Sequence, residues 1–450
     1  MRRRWHLRAM PQLRKLPSSL ETDPAKVNEL LVGLPDVTVL GAVRLADDSV
    51  ELHIQTNTSV DGCRSCGSVA TLKGWRVVTF VDLPTFGSPV SLHWHKRRWR
   101  CPEATCPVGS WTEVDERIAG SRLRLTDRAG RWATFEVGKN GRTVNEVAAV
   151  LGCDWHTVND AVLAFGAALV DHPDRFGAVS ALGLDEHLFV KAGERRIQHF
   201  VTALVDVERG QLLDLVPDRR SEEPKRWIEG QGAEWCRGVR SGTLDLSATY
   251  RSVFDEVLPD ARLVADKFHV VRHMTTKLDE CRRRVQNETL GHRGRKNDPL
   301  FRVRRRLTIA AERLDAEGRD KMLGILRAGD PRGDVQAAWW AKEAVRELYE
   351  VSDPVLAGQF IDELITDMAD RDWPIEVRSM GRTLARWREP IIAWHDLRIS
   401  NGPTEAMNNL AKRIKRVGFG FRSFANYRIR TLLYAGKPDW SLLPTLSIPG

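Results

Sequence analysis

The stretch from 239 to 273 shows most clearly how apolar and polar positions alternate along this chain. A short apolar run ends at Asp245, a pattern of helical period follows over 249–257, and a second apolar run ends at Asp266. This succession predicts a strand, a helix and a strand, with a carboxylate at the end of each strand. In a parallel α/β sheet, side chains at strand ends leave the packed core at the crevice where ligands bind.

A third acidic residue lies upstream in a comparable setting. Asp185 falls within the apolar run 181–190, where an unpaired carboxylate would cost about 2–7 kcal/mol. Further strands are predicted over 199–207 and 211–216, and a helix over 221–229. A single such acid could be solvated or paired with arginine. Three acids on successive strands favour a shared site.

The N-terminal part of the chain has the pattern of a small β domain. Alternating apolar positions predict strands within 35–56, 75–81 and 90–99. Two close cysteine pairs accompany these strands: Cys63 with Cys66, and Cys101 with Cys106. Paired cysteines of this spacing suit one structural, tetrahedral Zn²⁺ site of the zinc-ribbon kind, and the alternative is four unrelated buried thiols.

A helical pattern extends from 126 to about 170. Within it, Thr143 can cap one apolar helix, and Gly152 separates that helix from a second. This pattern predicts a helix-turn-helix whose second helix enters the major groove, although a plain helical hairpin has the same pattern. The residues expected near base edges are Asp154, His156, Thr157 and Asn159.

After 271 the chain is helical to about 395. Between 281 and 307 ten Lys or Arg residues face two acids, an excess that favours phosphate contact over a balanced solvated face. Pro403 then suits the first turn of another helix, which carries Glu405. Amides and cations follow Glu405 at helical spacing: Asn408, Asn409, Lys412 and Arg416. We expect Lys412, Arg416 and the segment 412–430 to contact DNA phosphates.

The 450 residues carry a formal net charge of +9. A basic chain rich in arginine has nucleic acid as its default partner. The N-terminus does not resemble a signal peptide, and no run of about 18 apolar residues occurs. The sequence therefore predicts a cytoplasmic protein without a membrane partner.

Together Asp185, Asp245 and Glu405 resemble the DDE triad of insertion-sequence transposases. The segments DLSATY, VADKFHVVRH and NGPTEAMNNLAKRIKRVGFGFRSFANYRIR are similar to those of the ISL3 family, and the resemblance extends from about 35 to 435. It implies an RNase-H-like mixed sheet interrupted by an all-α insertion. The implied function is binding of terminal inverted repeats, followed by cleavage of DNA strands and their transfer to target DNA.

The resemblance also implies a metal site. Asp185 and Asp245 would lie on neighbouring strands, and with Glu405 would hold two Mg²⁺ or Mn²⁺ ions. Asp266 and His269 are similar to a [C/D]xxH motif of transposases with such insertions, and are expected to be accessory.

The expected fold is thus multidomain α/β. Its segments are a basic tail (1–34), a zinc-ribbon DNA-binding domain (35–120), a helix-turn-helix domain (121–175), the first part of the catalytic domain (176–270), a helical insertion (271–397) and the closing glutamate helix (398–440). Double-stranded DNA and further copies of the chain are the expected partners. Two alternatives remain open: a non-catalytic DNA-binding regulator derived from a transposase, and a structure-specific nuclease.

Overall fold

The computed structural model of the protein describes residues 21, 23–120, 123–192, 197–446 and 448. The chain forms two compact units, Met1–Leu169 with Trp440–Gly450, and Val170–Asp439. Within the described ranges, no helix is both long and apolar enough to cross a membrane.

In its described residues, the first unit combines a β-sheet with four α-helices. Its elements are α1 (Pro24–Val32), β1 (Val37–Arg44), β2 (Val50–Thr56), β3 (Thr71–Thr85), β4 (Ser88–Arg100), β5 (Ser110–Thr112), α2 (Asp127–Gly138), α3 (Val144–Leu151) and α4 (Trp155–Val170). Helix α1 lies inside the stretch predicted as a tail, of which 1–20 and 22 fall outside the described residues. The helix forms because Asp23 caps its start and Gly33 ends it in the left-handed conformation.

The sheet of the first unit has the strand order β1-β2-β4-β3, with β5 paired to β4. Strands β2 and β4 are parallel, and the other pairs are antiparallel. One face is apolar and buries Ile54, Leu92 and Trp94 completely. The strands predicted within 35–56, 75–81 and 90–99 are therefore present.

The two cysteine pairs meet beside this sheet. Cys63 Sγ lies 3.6 Å from Cys106 Sγ, and Cys66 Sγ lies 3.4 Å from Cys101 Sγ. All four sulfur atoms lie within 4.8 Å of one another. Zn–S bonds of about 2.3 Å in a tetrahedron place sulfurs roughly 3.8 Å apart, so the cluster is suited to one structural zinc ion.

The helix pair predicted over 143–162 is also present. Thr143 and Glu146 form a reciprocal capping box at the start of α3, and Gly152 ends that helix in the left-handed conformation. Helix α2 is tied to the sheet because Arg128 and Thr126 both donate to the buried carboxylate of Asp82. The segments predicted as separate zinc-ribbon and helical domains thus belong to one compact unit.

The second unit is built on a five-stranded mixed sheet. Its elements up to the last strand are β6 (Ala181–Ala192), β7 (Ile197–Asp206), β8 (Gln211–Pro217), α5 (Glu222–Glu229), α6 (Ala233–Gly238), β9 (Ser241–Leu244), α7 (Ala248–Val257) and β10 (Arg262–Ala265). The strand order is β10-β9-β6-β7-β8. Strands β10, β9 and β6 are parallel, whereas β7 and β8 are antiparallel additions. The prediction that the strands of Asp185 and Asp245 are neighbours is confirmed.

Seven α-helices lie between the last strand and the glutamate helix, in the stretch where a helical insertion was expected over 271–397. They are α8 (Lys267–Leu290), α9 (Pro299–Leu307), α10 (Ala316–Gly329), α11 (Asp334–Leu348), α12 (Pro354–Asp367), α13 (Ile375–Arg386) and α14 (Arg388–Leu397). Their buried side chains, including Trp339 and Trp387, belong to the same apolar cluster as Leu184 and Leu244 of the sheet. The insertion and the sheet therefore share one core.

The last two helices, α15 (Gly402–Val417) and α16 (Phe424–Ala435), pack on the sheet, α15 against β6 and β7 and α16 against β8. Gly183 permits the close approach of α15, because a Cβ atom there would lie 2.1 Å from Thr404 Oγ1 and 2.9 Å from Val207 Cγ2. Since side chains alternate along a strand, Asp185 and His187 share the face of Gly183 and point toward α15.

We expect Gly183→Ala to destabilise the protein by about 1–3 kcal/mol, because overpacking a close helix–strand contact forces the elements apart. Thermal unfolding would measure the effect. Gly177→Ala is the matched control, since a Cβ atom there meets nothing within 4 Å. Equal unfolding midpoints for the two variants would contradict this packing.

We expect one zinc ion per chain, and we expect the Cys63→Ser, Cys101→Ser double variant to lose it, because each substitution removes one thiolate from a four-ligand site. Elemental analysis of the purified protein measures the metal content. Cys236→Ser, which changes a cysteine outside the cluster, should keep its zinc. Stoichiometric zinc in the double variant would rule the site out.

Candidate active site

Three acidic residues lie on or directly after the three parallel strands. Asp185 lies within β6, Asp245 directly follows β9 and Asp266 directly follows β10. Helix α15 adds Glu405 from its first turn. The order of parallel strands thus brings together residues that are far apart in sequence.

Asp185 is partly buried, and α15 holds one of its carboxylate oxygens. Asn408 Nδ2 donates to Asp185 Oδ2 over 2.7 Å. Burial, followed by the negative charge of Asp245, raises the pKa of Asp185 to about 7. This carboxylate is therefore unfavourable as an anion unless positive charge is placed beside it.

The hydrogen bonds behind Asp185 fix the orientation of the Asn408 amide. Because a carboxylate only accepts, the amide nitrogen must face Asp185, and Asn408 Oδ1 then accepts from His187 Nδ1 at 2.8 Å. His187 Nε2 is left to accept from the Tyr427 hydroxyl at 2.7 Å. Burial lowers the pKa of His187 to about 4, which agrees with a neutral ring.

Asp245 is held by a different amide. Asn401, fully buried at the start of α15, donates from Nδ2 to Asp245 Oδ1 over 3.3 Å. Thr243 Oγ1 donates to Asn401 Oδ1 over 3.1 Å and so fixes this amide as well. Each aspartate of the pair therefore has one asparagine of the α15 region as a donor.

His269 lies between two of the carboxylates. Its Nδ1 contacts Asp245 Oδ1, and its Nε2 lies 3.0 Å from Glu405 Oε1. Burial disfavours a charged ring, but the hydrogen bond and charge of Asp245 outweigh burial and raise the pKa of His269. A protonated His269 places one positive charge between two anions.

Asp266 has a different environment from the other acids. It is buried, and its Oδ1 accepts from the backbone N–H groups of Phe268 and His269 at the start of α8. Its Oδ2 accepts from the backbone N–H of Asn401 over 2.8 Å. Asp266 thus orients the chain at His269 and at Asn401, as an accessory residue would.

The acid cluster differs from the cysteine cluster in one respect. Among the residues that the structure describes, the four cysteines are the group whose ligand atoms all lie within 4.8 Å of one another. In the acid cluster, by contrast, the ring of His269 lies between the carboxylates of Asp245 and Glu405 and contacts both. The site offers hard carboxylate oxygens, an excess of negative charge and partial burial, which suit Mg²⁺ or Mn²⁺.

A cleft of about 890 Å³ opens beside these residues. Helix α8 and the end of the insertion line it through Lys267, Phe268 and Trp394, and Glu405 lies at its margin. Phe268 is more than half exposed there. Of the acids of the site, Asp266 and Glu405 line this cavity, which is large enough for part of a polymer substrate.

The residues predicted to read bases differ in exposure. Asp154 caps α4, since its carboxylate accepts from the Thr157 backbone N–H at 2.9 Å and from the Thr157 hydroxyl at 2.8 Å. His156 is exposed. Thr157 and Asn159 are only 8% and 5% exposed, because they flank Val158 on the packed side of α4. Their burial counts against direct contact with base edges.

Three cations of the basic segment 281–307 have carboxylate partners: Arg282, Arg283 and Arg284 form ion pairs within the helical block. Lys412 and Arg416 on α15 are exposed, and within the described ranges neither has a carboxylate partner.

Sequence reasoning missed part of this site. Asn401, His187 and Tyr427 were not predicted as site residues. A signal for His187 was available, because it follows Asp185 by two positions on a strand and must share its face. Nothing local indicates the contact between His187 and Tyr427, which are 240 residues apart.

Comparison with known proteins agrees with this arrangement. A family model of ISL3-type DDE proteins, described as "Transposase", matches residues 182–431. A second model, the zinc-finger of the transposases of IS204, IS1001, IS1096 and IS1165, matches residues 59–106 and so includes the four clustered cysteines.

Two kinds of curated relative match most of the chain. The transposase for insertion sequence element IS1557 of Mycobacterium tuberculosis, found in two strains, is 27% identical over 431 residues, which cover 87% of this chain and 91% of the relative. The transposase for insertion sequence element IS1001 of Bordetella parapertussis is 24% identical over 382 residues, covering 83% and 88%. Because the first family model matches more than half of the 450 residues, the chain belongs to the ISL3 family of insertion-sequence transposases.

Proposed function

We propose that this transposase binds the terminal inverted repeats of its element, cleaves the DNA strands at their ends and joins them to target DNA. Asp185, Asp245 and Glu405 are the proposed catalytic residues. The observation that carries this proposal is that Asp185 and Asp245 lie on or directly after neighbouring strands, and that Glu405 of α15 contacts the same His269 ring as Asp245. The strand order β10-β9-β6-β7-β8 supports an RNase-H-like catalytic domain.

The three carboxylates would hold two divalent cations, Mg²⁺ or Mn²⁺. When bound, the cations would activate water or a 3′-hydroxyl and stabilise the leaving oxygen of the phosphodiester. The raised pKa of Asp185 supports this assignment, since a buried carboxylate beside a second one is stabilised by added positive charge.

The residues around the triad position it. Asn408 donates to Asp185 Oδ2, the Glu186 backbone N–H donates to Asp185 Oδ1, and Asn401 donates to Asp245 Oδ1, so that hydrogen bonds orient both carboxylates. His269 neutralises part of the charge between Asp245 and Glu405. With cations present, we expect the imidazole to give up one of these contacts, because ring and cation compete for the same carboxylates.

Sequence-specific binding is assigned to the first unit. A Cys₄ zinc ribbon and a helix-turn-helix formed by α3 and α4 would together bind the inverted repeats, with Asp154 and His156 at the exposed start of α4. Lys412 and Arg416 would contact phosphates near the triad. Joining two element ends to one target requires both ends at once, which favours a homo-oligomer on DNA.

A non-catalytic regulator would need the same DNA-binding elements but no arrangement of acids. A structure-specific nuclease would need the acids but no sequence-reading domain. The arrangement of acids together with the proposed DNA-binding elements favours a transposase.

We expect Asp185→Ala, Asp245→Ala and Glu405→Ala each to lower strand cleavage about a thousandfold or more, because losing a metal ligand removes several kcal/mol of transition-state stabilisation. Cleavage of terminal-repeat duplexes with Mg²⁺ or Mn²⁺ measures this, and a gel shift should show that binding is retained.

Asp266→Ala should behave differently from the triad variants. It should reduce cleavage only partly, because Asp266 accepts three backbone hydrogen bonds and acts through His269 and Asn401. If Asp266→Ala is inactive while Asp245→Ala still cleaves, the second catalytic aspartate is Asp266. Full activity of Glu405→Ala would defeat the assignment of the triad.

Asn408→Ala should reduce cleavage about 10–100-fold, the usual effect of losing a hydrogen bond to a metal ligand. Asn409→Ala is the matched control, since Asn409 is exposed and the amide that donates to Asp185 belongs to Asn408. Raising the Mn²⁺ concentration should partly restore Asn408→Ala, because a misplaced ligand weakens metal binding first. Identical activity of the two variants would show that the contact between Asn408 and Asp185 does not matter.

A further inference from the structure

The loop after α15 displays an aromatic side chain that the fold does not use. Phe419 is 92% exposed, and its φ of 51° lies in the left-handed region. A phenylalanine is disfavoured there, because its Cβ crowds the backbone in a conformation that glycine adopts freely. The residue combines backbone strain with a side chain that is almost fully solvated.

The strain arises from how the helix ends. The N–H of Gly420 bonds to the carbonyl of Lys415, and the N–H of Phe419 bonds to that of Arg416. These are the two hydrogen bonds of a Schellman motif, and they place Phe419 at the position where glycine is usual. Glycine occurs instead on both sides, at 418 and 420.

A second phenylalanine holds the loop in place. The ring centroids of Phe421 and buried Tyr427 lie 5.3 Å apart. The guanidinium carbon of Arg430 lies 5.2 Å from the centroid of the Phe421 ring. A Cβ atom at Gly418 would lie 2.8 Å from Phe421. The contacts of Phe421 thus hold the loop against the fold, whereas the side chain of Phe419 extends into solvent.

The surface around Phe419 is cationic and unpaired. Four exposed cations lie on the last turns of α15 and in the loop: Lys412, Arg413, Arg416 and Arg422. In the part of the chain that the structure describes, none of them forms an ion pair with a carboxylate, unlike Arg428 on the next helix, which pairs with Asp214 and Asp171. This surface is suited to phosphates.

We propose that Phe419 is a DNA-inserting wedge, which enters the stack between two base pairs while the four cations hold the flanking phosphates. Proteins that bend or unstack duplexes insert apolar side chains in this manner, and the phosphates beside the step need cationic partners. The inference rests on the proposed function and adds a DNA contact to it. A wedge of this kind opens the duplex near the strand to be cut.

The exposed side of α15 leads from the triad to this wedge. Glu405 and Phe419 are 14 positions apart, which corresponds to about 20 Å along a helix. At roughly 3.4 Å per base pair, a duplex that follows α15 would meet the ring about six base pairs from the scissile phosphate. Asn409, Lys412 and Arg416 lie on the exposed side between them.

Phe419→Gly tests the proposal without harming the fold, because glycine relieves the strained φ. We expect its thermal unfolding midpoint to rise, and its affinity for terminal-repeat duplexes to fall roughly tenfold, the effect of losing one stacked aromatic. 2-Aminopurine would be placed in turn at each position from about three to about nine base pairs from the cleavage site. Its fluorescence should increase on binding of the wild-type protein at one base step only. This signal should disappear in Phe419→Gly and remain in Phe419→Trp.

Phe86→Gly is the matched control. Phe86 is 87% exposed with a φ of 50°, but no Lys or Arg lies between Arg76 and Lys96 in its strand pair. It should leave the 2-aminopurine signal unchanged. If wild-type protein cleaves the duplex and Phe419→Gly gives the same signal and affinity, the wedge is overturned and the transposase function stands. If wild-type protein neither binds nor cleaves, the proposed function itself fails.

Discussion

Two carboxylates, Asp185 and Asp245, lie on or directly after neighbouring strands of the central sheet, and the surrounding elements compensate for their charge. Burial and mutual repulsion raise the pKa of Asp185 to about 7. Each aspartate receives an amide donor from the start or the middle of the α15 region, and His269 brings positive charge to Asp245. The two amide contacts require α15 to lie close over the strands. The electrostatic cost that remains is what a divalent cation would remove.

The long insertion is compatible with such a site because its two ends are tied together. Asp266 begins α8, and Asn401 follows the last insertion helix, yet the carboxylate of one accepts the backbone N–H of the other over 2.8 Å. The helices between them share the core of the sheet. The glutamate helix is therefore positioned by this hydrogen bond between the two ends of the insertion and by the packing of α15 on the sheet.

Much of this architecture could be predicted from local patterns. Apolar runs that contain or end on acids located the strands of Asp185 and Asp245, and paired cysteine spacing located the sulfur cluster. Exposure was harder to predict. Thr157 and Asn159 lie beside Val158, and their burial depends on which side of α4 is packed.

The individual side-chain partners that are distant in sequence could not be predicted. Arg284 was expected at a phosphate, but it pairs with Glu376 from a helix 92 residues away. The donors Asn401 and Asn408 likewise become meaningful only when α15 is placed on the sheet, since nothing in their own segment specifies the aspartate that each will meet.

Iron-directed backbone cleavage would test the central claim most directly. Fe²⁺ replaces Mg²⁺ at carboxylate sites, and with peroxide or ascorbate it cuts the protein chain beside the bound ion. With the wild-type protein on a terminal-repeat duplex, we predict cuts near residues 185, 245 and 405 in the same sample, suppressed by excess Mg²⁺. Cuts confined to one of these segments, or cuts that Mg²⁺ does not suppress, would contradict a metal site shared by the three acids.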